Sequence, residues 1–411
     1  MNHPLIHTKK RTHTKWTIIS ISLIPLVMTL GNSMLIPVLP VMEQHITISS
    51  FQSSMIITVY SMVSIPLIPI AGFLSDHIGR KKVIIPSLFV AAAGGFVCGW
   101  AAWKMQDPYW VILIGRSLQG VGAAGAAPIV MPLVGDLFQT DEEISKNLGI
   151  IETANTFGKV LSPILGAFLA GFFWYLPFYA IPVFCVISIF FMFFQVRTLE
   201  KETKEPVPFK KFLQNVQKIF RKNGDWLYAI FFTGAVLMFS LFSVLFYLSD
   251  VLEKTYQIVN LNKGLLLAFP LGALCLSSYL AGKKIKENKK LMKWMIFVSL
   301  LFISVSIVLL SFSVQLFFMI SMFFFSGIGI GLSLPCLDAF ITEEIETEER
   351  GTITAFYHSM RFIGVALGPP ITAIIMNQSE KGIFYLLCGL SAFSAIIALF
   401  KIRPESKQTA K

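Results

Sequence analysis

The stretch Gly72-Phe73-Leu74-Ser75-Asp76-His77-Ile78-Gly79-Arg80-Lys81-Lys82 joins two long apolar runs, residues 51–75 and 83–103. A helix needs about 20 residues to cross the hydrocarbon core of a bilayer, so each run is long enough. Between them stand an acid, a glycine and three consecutive cations. Gly79 permits a tight turn, Asp76 offers a carboxylate near a helix end, and Arg80 offers a forked donor. A short basic turn between two apolar helices reads as a chain folding back through a membrane on its cytoplasmic side.

The pattern continues in both directions. Apolar stretches fall at residues 16–42, 51–75, 83–103, 108–137, 145–171 and 174–196, then at 226–250, 262–282, 291–312, 315–340, 352–377 and 381–402. That makes twelve spans. Barrel strands would be about ten residues long with period-two alternation, and none is seen. Pro and Gly are scattered inside the runs, as membrane helices tolerate. The run at 16–42 is too long for a signal-peptide core and is read as a retained first span.

Composition agrees. The 411 residues are 55% hydrophobic and only 14% charged, with 38 Phe against 23 acids. An ordinary soluble domain carries roughly 25% charge. This disfavours a secreted hydrolase, a nucleic-acid binder and a cytosolic enzyme. The net charge of +11 sits mostly in alternate connections, at residues 9–15, 80–82, 197–222, 283–293 and 401–411. The opposite connections hold Lys104, Lys254, Lys263 and Lys381. The positive-inside rule then predicts a multi-pass cell-membrane protein with both termini cytoplasmic, its basic face against membrane lipids and no nucleic-acid partner. The five cysteines lie far apart in apolar runs, so neither a disulfide framework nor a metal site is indicated.

The resulting organisation is a cytoplasmic tail at 1–15, a six-helix bundle at 16–196, a cytoplasmic linker at 197–225, a second six-helix bundle at 226–402 and a tail at 403–411. Residues 208–222 of the linker suggest a short amphipathic surface helix. The bundles echo each other. Gly158, Ser162 and Pro163 parallel Gly364, Gly368 and Pro369 at an offset of 206. Gly120, Gly122 and Pro128 parallel Gly327, Gly329 and Pro335 at an offset of 207. This is a parallel repeat, as in two-lobed transporters.

Residues 72–82 resemble, position by position, the GxLxDxxGRK(R/K) signature of the major facilitator superfamily, and length, span count and central loop extend that resemblance over the chain. It implies an all-α fold of twelve transmembrane helices in two pseudo-symmetric six-helix bundles. It further implies a cytoplasmic latch in the outward-open state, formed by Gly72, Asp76, Gly79, Arg80 and Asp136. Asp76 would cap the start of span eleven near Gly351, and Arg80 would pair with Asp136. In span four, Arg116-Ser-Leu-Gln119-Gly120-Val-Gly122-Ala-Ala124 resembles the family's RxxQGxGAA motif. Its Arg is associated with proton transfer. The alternative is an Arg that ties helices together through backbone carbonyls. Gly120 to Gly125 also fits GxGxxG, but no βαβ unit surrounds it.

Span five carries Gly149, Gly158, Ser162-Pro163 and Gly166-Ala167. This resembles the antiporter motif of drug:proton exporters, with Ser162 and Ala167 where the family has glycine. The stretch 36–42 and the phrase around Ser162-Pro163 resemble Gram-positive drug and siderophore exporters.

Ionisable groups at membrane depth are functional candidates. Span one, often acidic in such exporters, has no carboxylate before Glu43. The deepest acid is Glu152, read as the main proton carrier, with a static salt bridge as the alternative. Lys159 lies seven residues on, roughly 10 Å along the same face. His358, the repeat mate of Glu152, and Asp338 join Glu152 and Arg116 as proton-coupling candidates. Gln119, Lys159 and Arg361 are assigned to the cargo cavity. The surplus of cations points to an anionic or neutral amphipathic cargo. The expected function is proton-coupled export of small amphipathic molecules such as drugs or a siderophore. It would be driven by the proton gradient without a cofactor, by a monomer that is not an enzyme. A proton symporter importing a small metabolite is the alternative.

Overall fold

The computed structural model describes residues 15–138, 140–196, 209–285, 288–313, 315–345, 347–379 and 381–402. Those residues form fourteen α-helices and one 3-10 turn, with no strand among them. In the first half lie α1 (Lys15–Ser33), the 3-10 turn (Ile36–Val38), α2 (Leu39–His45), α3 (Ser50–Ile78) and α4 (Arg80–Lys104). They are followed by α5 (Tyr109–Ala124), α6 (Ala127–Leu137), α7 (Asp141–Ala170) and α8 (Leu176–Gln195). In the second lie α9 (Phe209–Lys254), α10 (Asn260–Ile285), α11 (Lys289–Leu309), α12 (Leu316–Glu344), α13 (Thr347–Gln378) and α14 (Gly382–Lys401).

Every span read from the sequence is helical, and two are broken. Span one divides into α1, the 3-10 turn and α2 where Pro37 and Pro40 interrupt the helical ladder. Span four divides into α5 and α6 just before Pro128, which has no N–H to give to Ala124 four residues back. Eleven helical segments among the described residues are long and apolar enough to cross a membrane. α7 matches them in length at 30 residues but carries Glu152, Asn155 and Lys159 along its middle. Linker residues 197–208 and the tails 1–14 and 403–411 lie outside the described residues. From Phe209 onward the linker is already helix. The expected separate surface helix is instead the beginning of a 46-residue α9 that runs on through span seven.

The quoted loop is tight. α3 ends at Ile78 and α4 begins at Arg80, with Gly79 alone between them at φ 101°, a conformation that side chains disfavour. At its other end α3 opens on a capping box. Ser49 accepts from Gln52 N–H, and Gln52 Oε1 accepts from Ser49 N–H.

The sequence repeat is also a packing repeat. α1 packs on α7 and α8, α4 on α5 and α8, and α3 on α5. The counterparts α9 on α13 and α14, α11 on α12 and α14, and α10 on α12 repeat that scheme. Gly122 lets α5 approach Ser87 and Ala91 of α4, and Gly329 lets α12 approach Ser299 and Ile303 of α11. Between the halves the principal contacts are α3 on α13 and α7 on α10. Each is the other's image under the exchange of halves. α3 and α13 run antiparallel: Thr58 Oγ1 donates to Ala366 O at 2.7 Å, Ser359 Oγ donates to Ile65 O at 3.0 Å, and Gly72 faces Ala355. Phe89, Phe96, Trp110, Phe190 and Phe317 lie exposed on the flanks, where lipid would cover them.

Candidate functional site: a charged cavity between the halves

A cavity of about 130 Å³ lies between the halves. α1 contributes Met28, Thr29 and Asn32, and α3 contributes Tyr60. Glu152, Asn155 and Lys159 come from α7, Met238 and Phe242 from α9, and His358, Arg361 and Phe362 from α13. Four ionisable residues singled out in the sequence, Glu152, Lys159, His358 and Arg361, thus share one wall system, although 206 residues separate Glu152 from His358 in the chain.

The acid and the lysine are not paired with each other. Asn155 Nδ2 donates to both carboxylate oxygens of Glu152 at 3.3 Å, and Thr29 Oγ1 donates to Asn155 Oδ1 at 2.5 Å. Lys159 is 9% exposed, and its ammonium has no hydrogen-bond partner. The static Glu152–Lys159 salt bridge is therefore not formed. Arg361 is buried, 3.5 Å from Asp338, and its guanidinium stands 5.6 Å from the centre of the Tyr357 ring. Asp338 does not line the cavity; it backs Arg361 from α12. Tyr60 and Phe362 stack across the seam with centroids 6.4 Å apart.

Arg116 and Gln119 stand behind the wall. Arg116 is fully buried and donates to Ile56 O at 2.8 Å, to Gly31 O at 3.1 Å and to Asn32 Oδ1 at 2.8 Å, as well as to Gln119 Oε1. Its guanidinium also sits 4.6 Å from the centre of the Tyr60 ring. This is the helix-tying arrangement. Asn32 and Tyr60, both cavity-wall residues, are held from behind by it. Gln119, assigned to the cargo cavity from the sequence, is withdrawn from it because Arg116 takes its side-chain oxygen and its amide turns to Cys98.

The loop cluster forms within one half. Arg80 pairs with Asp76 and, at 3.3 Å, with Asp136, and donates to Ser75 Oγ at 2.5 Å. All four residues belong to the first half, so these contacts pin the ends of α3, α4 and α6 together rather than bridging the halves. The expected cap by Asp76 falls at the start of α13, where the side chains of residues 346–348 lie outside the described residues. The second half is reached at this end by Gly72, which faces Ala355.

The α7 motif faces two ways. Gly158 lies against the backbone of Leu26, and Gly166 leaves no room for a Cβ beside Met34 O, both in the first half. Ser162 Oγ donates to Lys159 O at 2.9 Å. Pro163 and Ala167 meet Gly264 of α10 across the seam, and a Cβ added at Gly149 would meet nothing within 4 Å. At the opposite end from Arg80, Lys254 of the second half pairs with Glu43 of the first at 2.8 Å. Sequence reading set Lys254 among the loop cations and marked Glu43 only as the first acid of span one. Nothing in their spacing links residues 211 positions apart.

The Major Facilitator Superfamily model matches residues 21–369, and again 290–411. The chain belongs to the major facilitator superfamily. It is 53% identical over 386 residues to the bacillibactin exporter of Bacillus subtilis, covering 94% of this chain and 95% of the relative. It is 21% identical to the quinolone resistance protein NorA of Staphylococcus aureus, over 92% and 94% of the two chains. The crystal structure of the human organic anion transporter MFSD10 (TETRAN) superposes with a TM-score of 0.75 at 17% identity, over 94% of this chain and all of that one. The resemblance read from residues 72–82, the all-α fold and the kinship with Gram-positive drug and siderophore exporters are borne out. This superfamily member is a multi-pass membrane transporter of small molecules and not an enzyme.

Proposed function

We propose that this transporter is a proton-coupled exporter of small amphipathic molecules in the cell membrane, working by alternating access. Both termini face the cytoplasm, so the Arg80 end is inner and the Glu43 end outer. It works as a monomer among membrane lipids, with the proton gradient as its energy source and no bound cofactor. The observation that carries the reading is the inter-half cavity, with Glu152 on its wall and an unpartnered Lys159 ammonium beside it. Met28, Met238, Phe242 and Phe362 supply the greasy remainder of a site for an amphipathic cargo.

Glu152 holds either a proton or a hydrogen-bond donor of the cargo. Lys159 takes an acceptor oxygen of the cargo, which relieves a buried charge that has no other partner. When a proton arrives from outside, the carboxylate no longer accepts the cargo's donor and the cargo leaves. The proton is released to the cytoplasm in the return swing. One proton moving down about 100 mV supplies roughly 2.3 kcal/mol, enough for about a 40-fold cargo gradient. The 53% identical relative makes bacillibactin the first cargo to test, with quinolones second.

Everted vesicles provide the test. With an acid lumen, an exporter accumulates the cargo inside against its gradient, and a protonophore abolishes the accumulation. A proton symporter drives cargo out of the same vesicles, and that result would end the export reading.

A further inference from the structure

The stretch Ile36-Pro37-Val38-Leu39-Pro40 breaks the first span, and the break has a use. Pro40 has no N–H to give to Ile36 O, its acceptor in an unbroken helix. The chain answers with the 3-10 turn, in which Leu39 N–H reaches Ile36 O instead. Side chains of the second half occupy the carbonyls at this turn. Ser249 Oγ donates to Ile36 O at 2.9 Å, and Lys263 Nζ donates to Pro37 O at 2.7 Å. Both side chains are buried, Lys263 at 1% exposure, although its position at a span end had marked it as an ordinary loop cation.

Lys263 also pairs with Glu253 of its own half at 2.6 Å. That partner makes the contact with Pro37 releasable: if the halves part here, the ammonium keeps its counter-charge and no bare ion is left behind. Close by, Lys254 reaches Glu43, whose carboxylate also accepts from Ser50 and Ser53 at 2.9 and 2.6 Å. Lys254 Nζ also donates to Ser50 Oγ at 3.1 Å, so four polar contacts cross the seam at this end. At the other end the ion pairs of Arg80, of Lys289 with Glu344 and of Lys401 with Asp225 each stay within one half.

We propose that the broken end of span one is the outer lock of the transport cycle. The carbonyls of Ile36 and Pro37 form its socket, Ser249 and Lys263 plug into it, and Glu43–Lys254 straps it shut. Lys263 is a positioning residue, since it lines no part of the cavity and acts by setting which mouth is closed. The inference rests on the alternating-access reading above.

The test is outside access to a cysteine at cavity residue Met238, in full-length protein in intact cells, with Cys275 and Cys388 replaced by Ser. Labelling by a membrane-impermeant methanethiosulfonate should rise about tenfold in Lys263→Met, the effect of losing one charged hydrogen bond. It should return toward the starting rate in Lys263→Arg. Ser249→Ala, which leaves the buried ion pair intact, should raise labelling in the same direction and decides the matter if Lys263→Met does not fold. A disulfide between Glu43→Cys and Lys254→Cys should stop transport until it is reduced. Unchanged labelling in both Lys263→Met and Ser249→Ala, or transport that persists through the disulfide, overturns the lock. Those outcomes leave the export reading standing, because it fails only on the direction of proton-driven flux in vesicles.

Discussion

Arg116 Nη2 lies 2.8 Å from the side-chain oxygen of Asn32, and the same guanidinium reaches two backbone carbonyls and Gln119. One cation therefore satisfies four acceptors on α1, α3 and α5. Removing it leaves buried acceptors without donors. Arg116→Met should cost roughly 1–3 kcal/mol for the buried acceptors left unpaired, seen as a fall in the thermal unfolding midpoint of detergent-purified protein. Arg116→Lys should rescue little of it, because a compact ammonium cannot span a forked site. If Arg116→Met unfolds like wild type while proton coupling is lost, the structural role is wrong.

Glu152→Gln keeps the shape of the side chain but turns one of the two oxygens that accept from Asn155 into an amide that only donates, and it cannot carry a proton. The variant stands where the protonated acid would, so it should bind cargo more weakly than wild type and should lose accumulation driven by a pH gradient. Wild-type accumulation in this variant would remove Glu152 from the coupling role.

Glycines of the same motif should differ sharply. At Gly166 a methyl group would collide with Met34 O, so Gly166→Ala should force α1 and α7 apart and destabilise by roughly 1–3 kcal/mol. At Gly149 a methyl group would meet nothing within 4 Å, so Gly149→Ala should be neutral or stabilise by about 0.5–1 kcal/mol through the better helix propensity of alanine. Unfolding midpoints of the two variants, measured side by side, check the contrast.

Arg80→Ala and Asp136→Asn each remove one limb of the cluster that pins α3, α4 and α6. These groups are partly exposed, so each change should cost only about 1 kcal/mol or less. The expected phenotype is a slower cycle with the ranking of cargoes preserved, read from efflux rates over a small substrate panel. A changed ranking with an unchanged rate would contradict a purely mechanical role.

Much of this was legible in the sequence because the bilayer imposes simple rules. Apolar runs of sufficient length gave the helices, and Gly79 marked the one-residue turn between α3 and α4. Glu152, Lys159, His358 and Arg361 stood out because charge at membrane depth is costly, and the structure brings all four to one cavity. Gln119 was misplaced because motif spacing fixes a helix face but not what sits in front of it. Here Arg116 captures its side chain. The Glu43–Lys254 and Lys263–Pro37 contacts were hidden for another reason. Charges at span ends look alike whether they meet headgroups or each other, and only the packing of distant helices tells them apart. The hydroxyls of Thr29 and Ser249 carried no signal among the other hydroxyls scattered through the apolar runs.

The exchange of partners at the seam, α3 with α13 and α7 with α10, gives the two lobes the same grip on each other from both sides. A seesaw whose two arms are copies of one design has no preferred heavy end. Which way it rests is left to small fittings at its tips, so a handful of polar contacts can set the resting posture of a 46-kDa body without rebuilding its interior.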